Sequence, residues 1–394
     1  MKVGEPMNSK VNDLQYALRT GALVNVYQVD DDIVYTGFVL NMDEQGIIVA
    51  TYDDGGEEDG AVYLSYSTVE SVEFSSRDLD NIEFRINYAE DHQSLGLGQI
   101  ATDFNDEEPL LNQVVESVMQ NEAFAMVTLK NTDTYLEGKI TRVFDSDLEF
   151  SLFDKFDLGR HERLTIAFES VGLIEFNGKE LSIQDLAMAG IEKLKPVEES
   201  SVESAAAIGQ VLEMAQAEDQ FLSFVPKSDP EMFFVGQINT LTADTVIVNL
   251  VDMAGQFGGY WLTKRSAIDR VTFESDYLQV ISQFVMLNKA LAGLMPTALN
   301  DERLFDPTTD LFQSVLGQAA QFKRVLRIRL HSGEVMVGYL SQIGAAQFIF
   351  HEVDEGEVQN PVGQLIATKD VEEIAFDYLE AILIEKQLKV QGDL

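Results

Sequence analysis

The six residues VESVEF at positions 69–74 recur three more times as near copies, at similar intervals along the chain. The near copies are VGLIEF at 171–176, IDRVTF at 268–273 and VEEIAF at 371–376. Each has the form apolar-x-x-apolar-x-Phe, and its last two apolar positions alternate with period two, as in a strand with one buried face. The phenylalanines that end the copies are Phe74, Phe176, Phe273 and Phe376. This recurrence predicts four copies of one structural unit.

A glycine lies upstream of each phenylalanine, inside a strand-like run. The separation from glycine to phenylalanine is 37 or 38 residues in every copy. The four glycines are Gly37, Gly138, Gly236 and Gly338. Glycine within a strand marks a sharp bend or a close approach of another backbone, because it has no Cβ. Four glycines at one register therefore predict four copies of one curved sheet.

The unit around each glycine is predicted to be a helix, five short meandering strands and, in most copies, a second helix. The fold class is accordingly mainly β with peripheral helices (α+β). The predicted repeats are 1–90, 91–195, 196–300 and 301–394. Their boundaries are expected near 91–107, 195–202 and 295–307, where Pro, Gly, Ser, Asp and Asn cluster.

This pattern of a leading helix, a five-strand meander, a glycine-bent second strand and an I-x-x-I type last strand resembles the Sm-like family of small SH3-like barrels. The resemblance implies four tandem five-stranded barrels. Members of that family assemble into rings by pairing the fourth strand of one barrel with the fifth strand of the next. Successive repeats are therefore expected to pair edge to edge, as an internal pseudo-ring or curved array, or in a larger ring formed by self-association.

The RNA-binding motifs of the family are missing from all four repeats. The family carries an Asp followed by Asn after the bent strand and an Arg-Gly before the last strand. The first position here reads NMDEQG, RVFDSD, TLTADT and SQIGAA, and the second reads LSYST, AFES, TKRSA and IATKD. The resemblance therefore implies the scaffold without its RNA-binding residues.

The net charge of this 394-residue chain is −40, from 67 acidic and 27 basic residues. Such a charge repels phosphate, so it disfavours general nucleic-acid binding and docking on anionic membranes, and it favours protein partners. The absence of cysteine excludes disulfides and thiolate metal sites. The N-terminus lacks a signal-peptide core, and the apolar stretch 277–295 is interrupted by polar residues, as in a buried helix. We expect no membrane span and a cytoplasmic location.

Basic residues cluster locally in WLTKRS at 261–266 and FKRVLRIRLH at 322–331. The candidate contacts for an anion or a partner are Lys264, Arg265, Arg324, Arg327 and Arg329. Ion pairing within the chain is the favoured alternative, because acidic residues are abundant.

The acidic loop YDDGGEEDG at 52–60 does not have the spacing of an EF-hand, so a solvated hairpin loop is favoured over a calcium site. No metal and no cofactor is predicted.

No catalytic motif stands out in the sequence, so we predict a non-enzymatic interaction or scaffold protein. It would bind protein partners through barrel edges or its acidic surface. The alternative is single-stranded nucleic-acid binding at a basic patch in repeats 3 and 4. A third, less favoured reading is a metal-dependent hydrolase that uses clustered carboxylates.

Overall fold

The computed structural model describes residues 7–29, 33–91, 104–105, 107–132, 134–291, 299–354 and 356–394. The chain divides into two compact units, Met1–Lys195 and Pro196–Leu394. The repeat boundaries expected near 91–107 and 295–307 lie partly outside the described residues. The finer division of each unit into two repeats stays a prediction.

Unit 1 contains two runs of a helix, five strands and a second helix. The first run comprises α1 (Met7–Thr20), β1 (Leu23–Gln28), β2 (Val34–Met42), β3 (Gly46–Tyr52), β4 (Glu58–Ser65), β5 (Val69–Glu73) and α2 (Arg77–Asp91). The second comprises α3 (Leu110–Gln120), β6 (Phe124–Leu129), β7 (Tyr135–Val143), β8 (Asp147–Leu152), β9 (Arg163–Ala167), β10 (Val171–Phe176) and α4 (Lys179–Ile191).

Unit 2 repeats this order with two short extra strands, β11 and β20. Its first run comprises β11 (Ser200–Val202), α5 (Ala205–Glu218), β12 (Phe221–Pro226), β13 (Phe234–Leu241), β14 (Thr245–Val251), β15 (Phe257–Lys264), β16 (Ile268–Glu274) and α6 (Asp276–Ala290). Its second comprises α7 (Leu311–Phe322), β17 (Val325–Leu330), β18 (Val335–Ile343), β19 (Gln347–Asp354), β20 (Glu357–Val358), β21 (Gln364–Ala367), β22 (Val371–Phe376) and α8 (Leu379–Gln391).

The strands form two large antiparallel sheets, one in each unit, so the prediction of a mainly β fold with peripheral helices is confirmed. The order in unit 1 is β5-β1-β2-β3-β4-β10-β6-β7-β8-β9. In unit 2 it is β11-β16-β12-β13-β14-β15-β22-β17-β18-β19-β20, with β21 also on β19. Four separate barrels are not found: within the described residues neither sheet closes. In the first repeat of each unit the fourth strand pairs with the next repeat. In the second repeat the fourth strand, β9 or β21, pairs only with the third strand, so among the described residues no fourth strand pairs with its own fifth strand.

We call this pairing between repeats the seam. In unit 1 β4 pairs with β10, and Tyr63 lies opposite Ile174. In unit 2 β15 pairs with β22, and Leu262 lies opposite Ile374. The expected edge pairing of fourth strand to fifth strand is therefore present in both units. A closed pseudo-ring and self-association stay predictions.

The four glycines all lie in the second strand of their repeat, which is the strand the sequence assigned to them. A Cβ on Gly37 would lie 1.8 Å from the carbonyl oxygen of Ala50, and one on Gly338 would lie 2.0 Å from that of His351. Gly138 and Gly236 face the third strand in the same way. A bulge follows each glycine, for example between Val39 and Asn41. The bend is thus the same in all four repeats.

The four phenylalanines pack on the core of their own repeat but differ in exposure. Phe176 and Phe376 are 1% and 4% exposed, whereas Phe74 and Phe273 are partly buried. The difference follows from the seam, because only β10 and β22 are covered by the fourth strand of a preceding repeat. The seam also merges cores: Tyr63 of repeat 1 packs into the core of repeat 2, and Leu262 of repeat 3 packs into that of repeat 4.

The apolar stretch predicted as a buried helix forms α6 over its described part, with Val280, Ile281 and Phe284 buried. No described helix combines the length and the apolar character needed to cross a membrane.

Candidate functional site

Two of the five predicted contact residues are held by carboxylates inside unit 2. Arg324 lies 2.7 Å from Glu385 and 3.2 Å from Asp377. Arg329 Nε lies 2.7 Å from Glu373 Oε1. The favoured alternative, ion pairing within the chain, therefore describes these two arginines.

Glu373 is the centre of a buried polar contact across the seam. Its side chain is 6% exposed, and its second oxygen accepts a hydrogen bond of 3.0 Å from Trp261 Nε1. Arg329 on β17 and Trp261 on β15 thus meet on one carboxylate of β22. Burying a carboxylate is costly without such partners, so Arg329 has a structural role here.

Arg327 lies at the middle of β17, opposite Val337 and Ala375. Its side chain is half-buried and forms no hydrogen bond or ion pair with any residue that the structure describes. It lies apart from the groove that holds the remaining two candidates.

Lys264 and Arg265 line a groove of about 1220 Å³ between the third and fourth repeats. Its walls are the loop after the bent strand and the loop before the last strand of each repeat, together with the first turn of α7. We call it the repeat 3–4 groove. Lys369 also lines the groove and was not among the candidates from the sequence. The sequence contained a signal for Lys369, because its segment IATKD occupies the same place in repeat 4 as the basic segment TKRSA does in repeat 3.

The three cations of the groove form no ion pair with a carboxylate among the described residues. Lys264 Nζ lies 2.9 Å from Nε2 of His331 and 3.3 Å from the carbonyl oxygen of Lys369. Arg265 Nη1 donates to the carbonyl oxygens of Thr242 and Ala243 at 3.2 and 3.4 Å. These contacts orient the side chains of Lys264 and Arg265 without a carboxylate partner.

Arg265 also depends on a glycine of α5. A Cβ on Gly209 would lie 2.4 Å from Arg265 Nη2, so the missing side chain leaves room for the guanidinium. At the groove wall, α7 begins after Asp310, whose carboxylate accepts the N–H of Gln313 at 3.1 Å. The Asp310 carboxylate thus offsets the partial positive charge of this helix start.

Unit 1 does not carry these cations. Ser65 occupies the place of Lys264, as the last residue of the fourth strand, and Glu169 occupies the place of Lys369, two residues after that strand. The start of α3 is also capped from the neighbouring repeat: Asp43 Oδ2 accepts the N–H of Leu110 at 2.8 Å. The positive groove is therefore specific to unit 2.

The acidic loop of repeat 1 is held by Lys179, at the start of α4. Its Nζ lies 2.6 Å from Asp53 and 2.6 Å from Glu57, and its backbone N–H donates to Asp59 at 2.7 Å. Burial lowers the pKa of Lys179, but the two carboxylates outweigh it and the net pKa is raised. In the described parts of the chain, no group of three or more acidic or histidine side chains is arranged to hold a metal.

No protein-family model and no curated protein matches the chain. A solved structure of the four MBT repeats of Drosophila melanogaster Sfmbt, in complex with the peptide RHR(me)KVLR, matches at 11% identity. That match covers 93% of this chain and 90% of the other, with a TM-score of 0.11. A TM-score this low carries no conclusion about fold or function. The resemblance to the Sm-like family therefore stays a prediction.

Proposed function

We propose that the protein is a non-enzymatic interaction protein, built of four Sm-like repeats, that binds protein partners. The site we assign to this role is the repeat 3–4 groove, and its ligand is an acidic segment of a partner. One observation supports this proposal above others: Lys264, Arg265 and Lys369 converge in a groove with no compensating carboxylate at ion-pair distance. The chain as a whole has a net charge of −40, so this local concentration of positive charge favours the binding of an anionic ligand at the groove.

The lining of the groove favours a peptide over a nucleic acid. Its polar groups are hydroxyls, amides and backbone carbonyls, which suit an extended chain. Phe312, an aromatic residue of the lining, is 6% exposed and offers no free face for base stacking. Asp244 and Asp310 also line the groove and repel acidic side chains and phosphates alike, so they do not separate the two ligands.

Single-stranded nucleic acid remains the second candidate for one reason. The groove is built from the two loops of each repeat where the Sm-like resemblance places RNA contacts. Its cations would then neutralise phosphates, and binding would weaken steeply as salt rises.

The test measures binding by fluorescence anisotropy with two labelled probes, a Glu-rich peptide and an oligouridine, at low and high salt. We expect the peptide to bind, and the variant Lys264→Glu/Lys369→Glu to weaken its binding by about tenfold or more, since two ion pairs are lost. The control is Lys289→Glu/Lys386→Glu, which makes the same charge change at two exposed lysines of unit 2.

If the groove variant binds the Glu-rich peptide as tightly as the control variant does, the groove is not the binding site. Binding of oligouridine without the peptide, lost in the groove variant, would establish the second candidate in place of the first.

A further inference from the structure

A second hollow of about 620 Å³ lies elsewhere in repeat 3, and its character differs from that of the groove. It is formed by the loop before β13, the turn between β14 and β15, and the start of α6. We call it the Met-Phe hollow, after Met232, Phe233 and Met253, which line it with Tyr277.

Large apolar side chains are exposed around this hollow. Met232 is 45% exposed, Phe233 is 42% exposed and Met253 is 61% exposed. Three exposed apolar side chains thus line one concavity with polar residues beside them, an arrangement typical of interaction sites. Methionine is flexible and polarisable, so it adapts to varied apolar ligands.

The floor of the hollow is fixed, in contrast to its rim. Tyr277 is 7% exposed and Val235 is 5% exposed. The rings of Phe233 and Tyr277 meet edge to face, with centroids 5.6 Å apart. The hollow therefore exists before a ligand arrives, and only the methionines need to adjust.

The turn that carries Met253 does not require methionine. In this turn the N–H of Gly255 donates to the carbonyl of Asp252 at 3.1 Å. The same turn in repeat 1 has the N–H of Gly56 donating to the carbonyl of Asp53 at 2.9 Å. The residue at the place of Met253 is Asp54 there. Because aspartate occupies the equivalent turn position in repeat 1, the turn itself does not need methionine, and the exposed methionine indicates contact with a ligand.

Every charged side chain that lines the hollow is acidic. These are Asp229, Glu231 and Asp252, and no lysine or arginine of the described part of the chain lines it. Asp229 and Glu231 form no ion pair with any described residue. The rim therefore complements positive charge, and the net charge of −40 attracts basic partners over longer distances.

We propose that the Met-Phe hollow binds a basic amphipathic segment of a protein partner. A bulky apolar side chain of the segment enters between Met232 and Met253 and packs on Phe233. Lysines or arginines that flank this anchor lie against Asp229 and Glu231. The inference does not rest on the repeat 3–4 groove, which takes the opposite charge.

The test uses three labelled helical peptides of one length: Leu/Lys, Leu/Glu and Ala/Lys. We expect the Leu/Lys peptide to bind most tightly, because it alone has both the apolar anchor and the positive charge. Phe233→Ser and Met253→Ser should each weaken it by about tenfold, as expected when an apolar anchor site is removed. The matched control is Met214→Ser on α5, where the methionine is 60% exposed outside the hollow.

Glu231→Lys should also weaken binding and reduce its salt dependence, whereas Glu213→Lys on the exposed face of α5 should not. The groove variant Lys264→Glu/Lys369→Glu should keep full binding of the Leu/Lys peptide, which separates this proposal from the proposed function. The proposal fails if the Leu/Glu peptide binds as tightly as the Leu/Lys peptide. It also fails if the Ala/Lys peptide binds as tightly as the Leu/Lys peptide and the hollow variants bind as the unchanged protein does. Thermal unfolding of each variant verifies that the fold is retained.

Discussion

At the scale of single residues, the same position of the repeated phrase has very different surroundings in different repeats. The residue before the phenylalanine is Glu73, Glu175, Thr272 or Ala375. Glu175 lies in the seam strand β10, between β4 and β6. It accepts a hydrogen bond from the hydroxyl of Tyr35.

Burial is the main cause that raises the pKa of Glu175, to about 7. The hydrogen bond from Tyr35 opposes this, and the charges of Asp59 and Glu180 add to it. Burial likewise raises the pKa values of Asp59 and Glu180. Burial therefore raises the pKa of Glu175 in the seam of unit 1 and of two carboxyl groups close to it.

The first prediction concerns the pH dependence that follows. The pKa of Glu175 in the folded protein exceeds its ordinary value of 4.5. The stabilisation that the protonated Glu175 side chain provides is therefore fully present below pH 4.5 and is lost as the pH rises through about 7. Glu175→Gln should therefore raise the free energy of unfolding above pH 7, by roughly 1–3 kcal/mol, and flatten the slope between pH 5 and 8. Urea denaturation at several pH values measures both.

The control for this prediction is Glu169→Gln, which removes the same charge from an exposed position of unit 1. It should leave the slope unchanged. If Glu175→Gln also leaves the slope unchanged, then burial does not set the protonation of this carboxyl.

At the scale of single elements, the bent second strand is the feature that the sequence specifies most strongly. The backbone of the third strand approaches so closely that no side chain fits at the glycine. The closest atom is a backbone carbonyl oxygen in all four repeats, so it has little freedom to move aside. The bulge after the glycine then completes the curvature.

The second prediction compares one substitution at two glycines of repeat 4. Gly338→Ala would place a Cβ 2.0 Å from the carbonyl oxygen of His351, and we expect a loss of about 2–3 kcal/mol of stability. Gly317→Ala in α7 meets nothing within 4 Å, and alanine favours a helix over glycine by up to about 1 kcal/mol. It should therefore stabilise.

Chemical denaturation of both variants measures these changes. Opposite signs are the expected result. A loss of similar size at both positions would mean that the close approach in β18 is not what requires the glycine.

At the scale of the whole molecule, the second repeat of each unit takes part of its core from the first repeat. In unit 2 the core of repeat 4 includes Tyr260 and Leu262 from repeat 3. Tyr260 stacks on Phe376 with ring centroids 5.3 Å apart. In unit 1, Tyr63 of repeat 1 belongs to the core of repeat 2 in the same way.

The third prediction is that fragment 196–394 folds cooperatively and fragment 301–394 does not. The shorter fragment lacks β15, so it exposes the edge of β22 and loses apolar contacts, at about 1.5–3 kcal/mol for each large side chain. Circular dichroism during thermal unfolding distinguishes the two. A stable, cooperative fragment 301–394 would show that each repeat folds alone, as the predicted domain boundaries imply.

The sequence by itself determined the order of helices and strands and the position of the bend, whereas its division of the chain into four repeats stays a prediction. These properties are local, because strand periodicity and the requirement for glycine act over a few residues. It also placed Lys264 and Arg265 among the candidates. It could not separate them from Arg324 and Arg329, because five basic residues in two short segments look alike.

Only the tertiary structure decided which of these charges are neutralised and which sheets stay open. Arg329 meets Glu373 across 44 residues of sequence, and Glu175 meets Tyr35 across 140. The seam occupies the fourth-strand edge that a closed barrel would use for its own fifth strand. The physical reason is distance: burial and ion pairing depend on residues far apart in the chain, which no local pattern records.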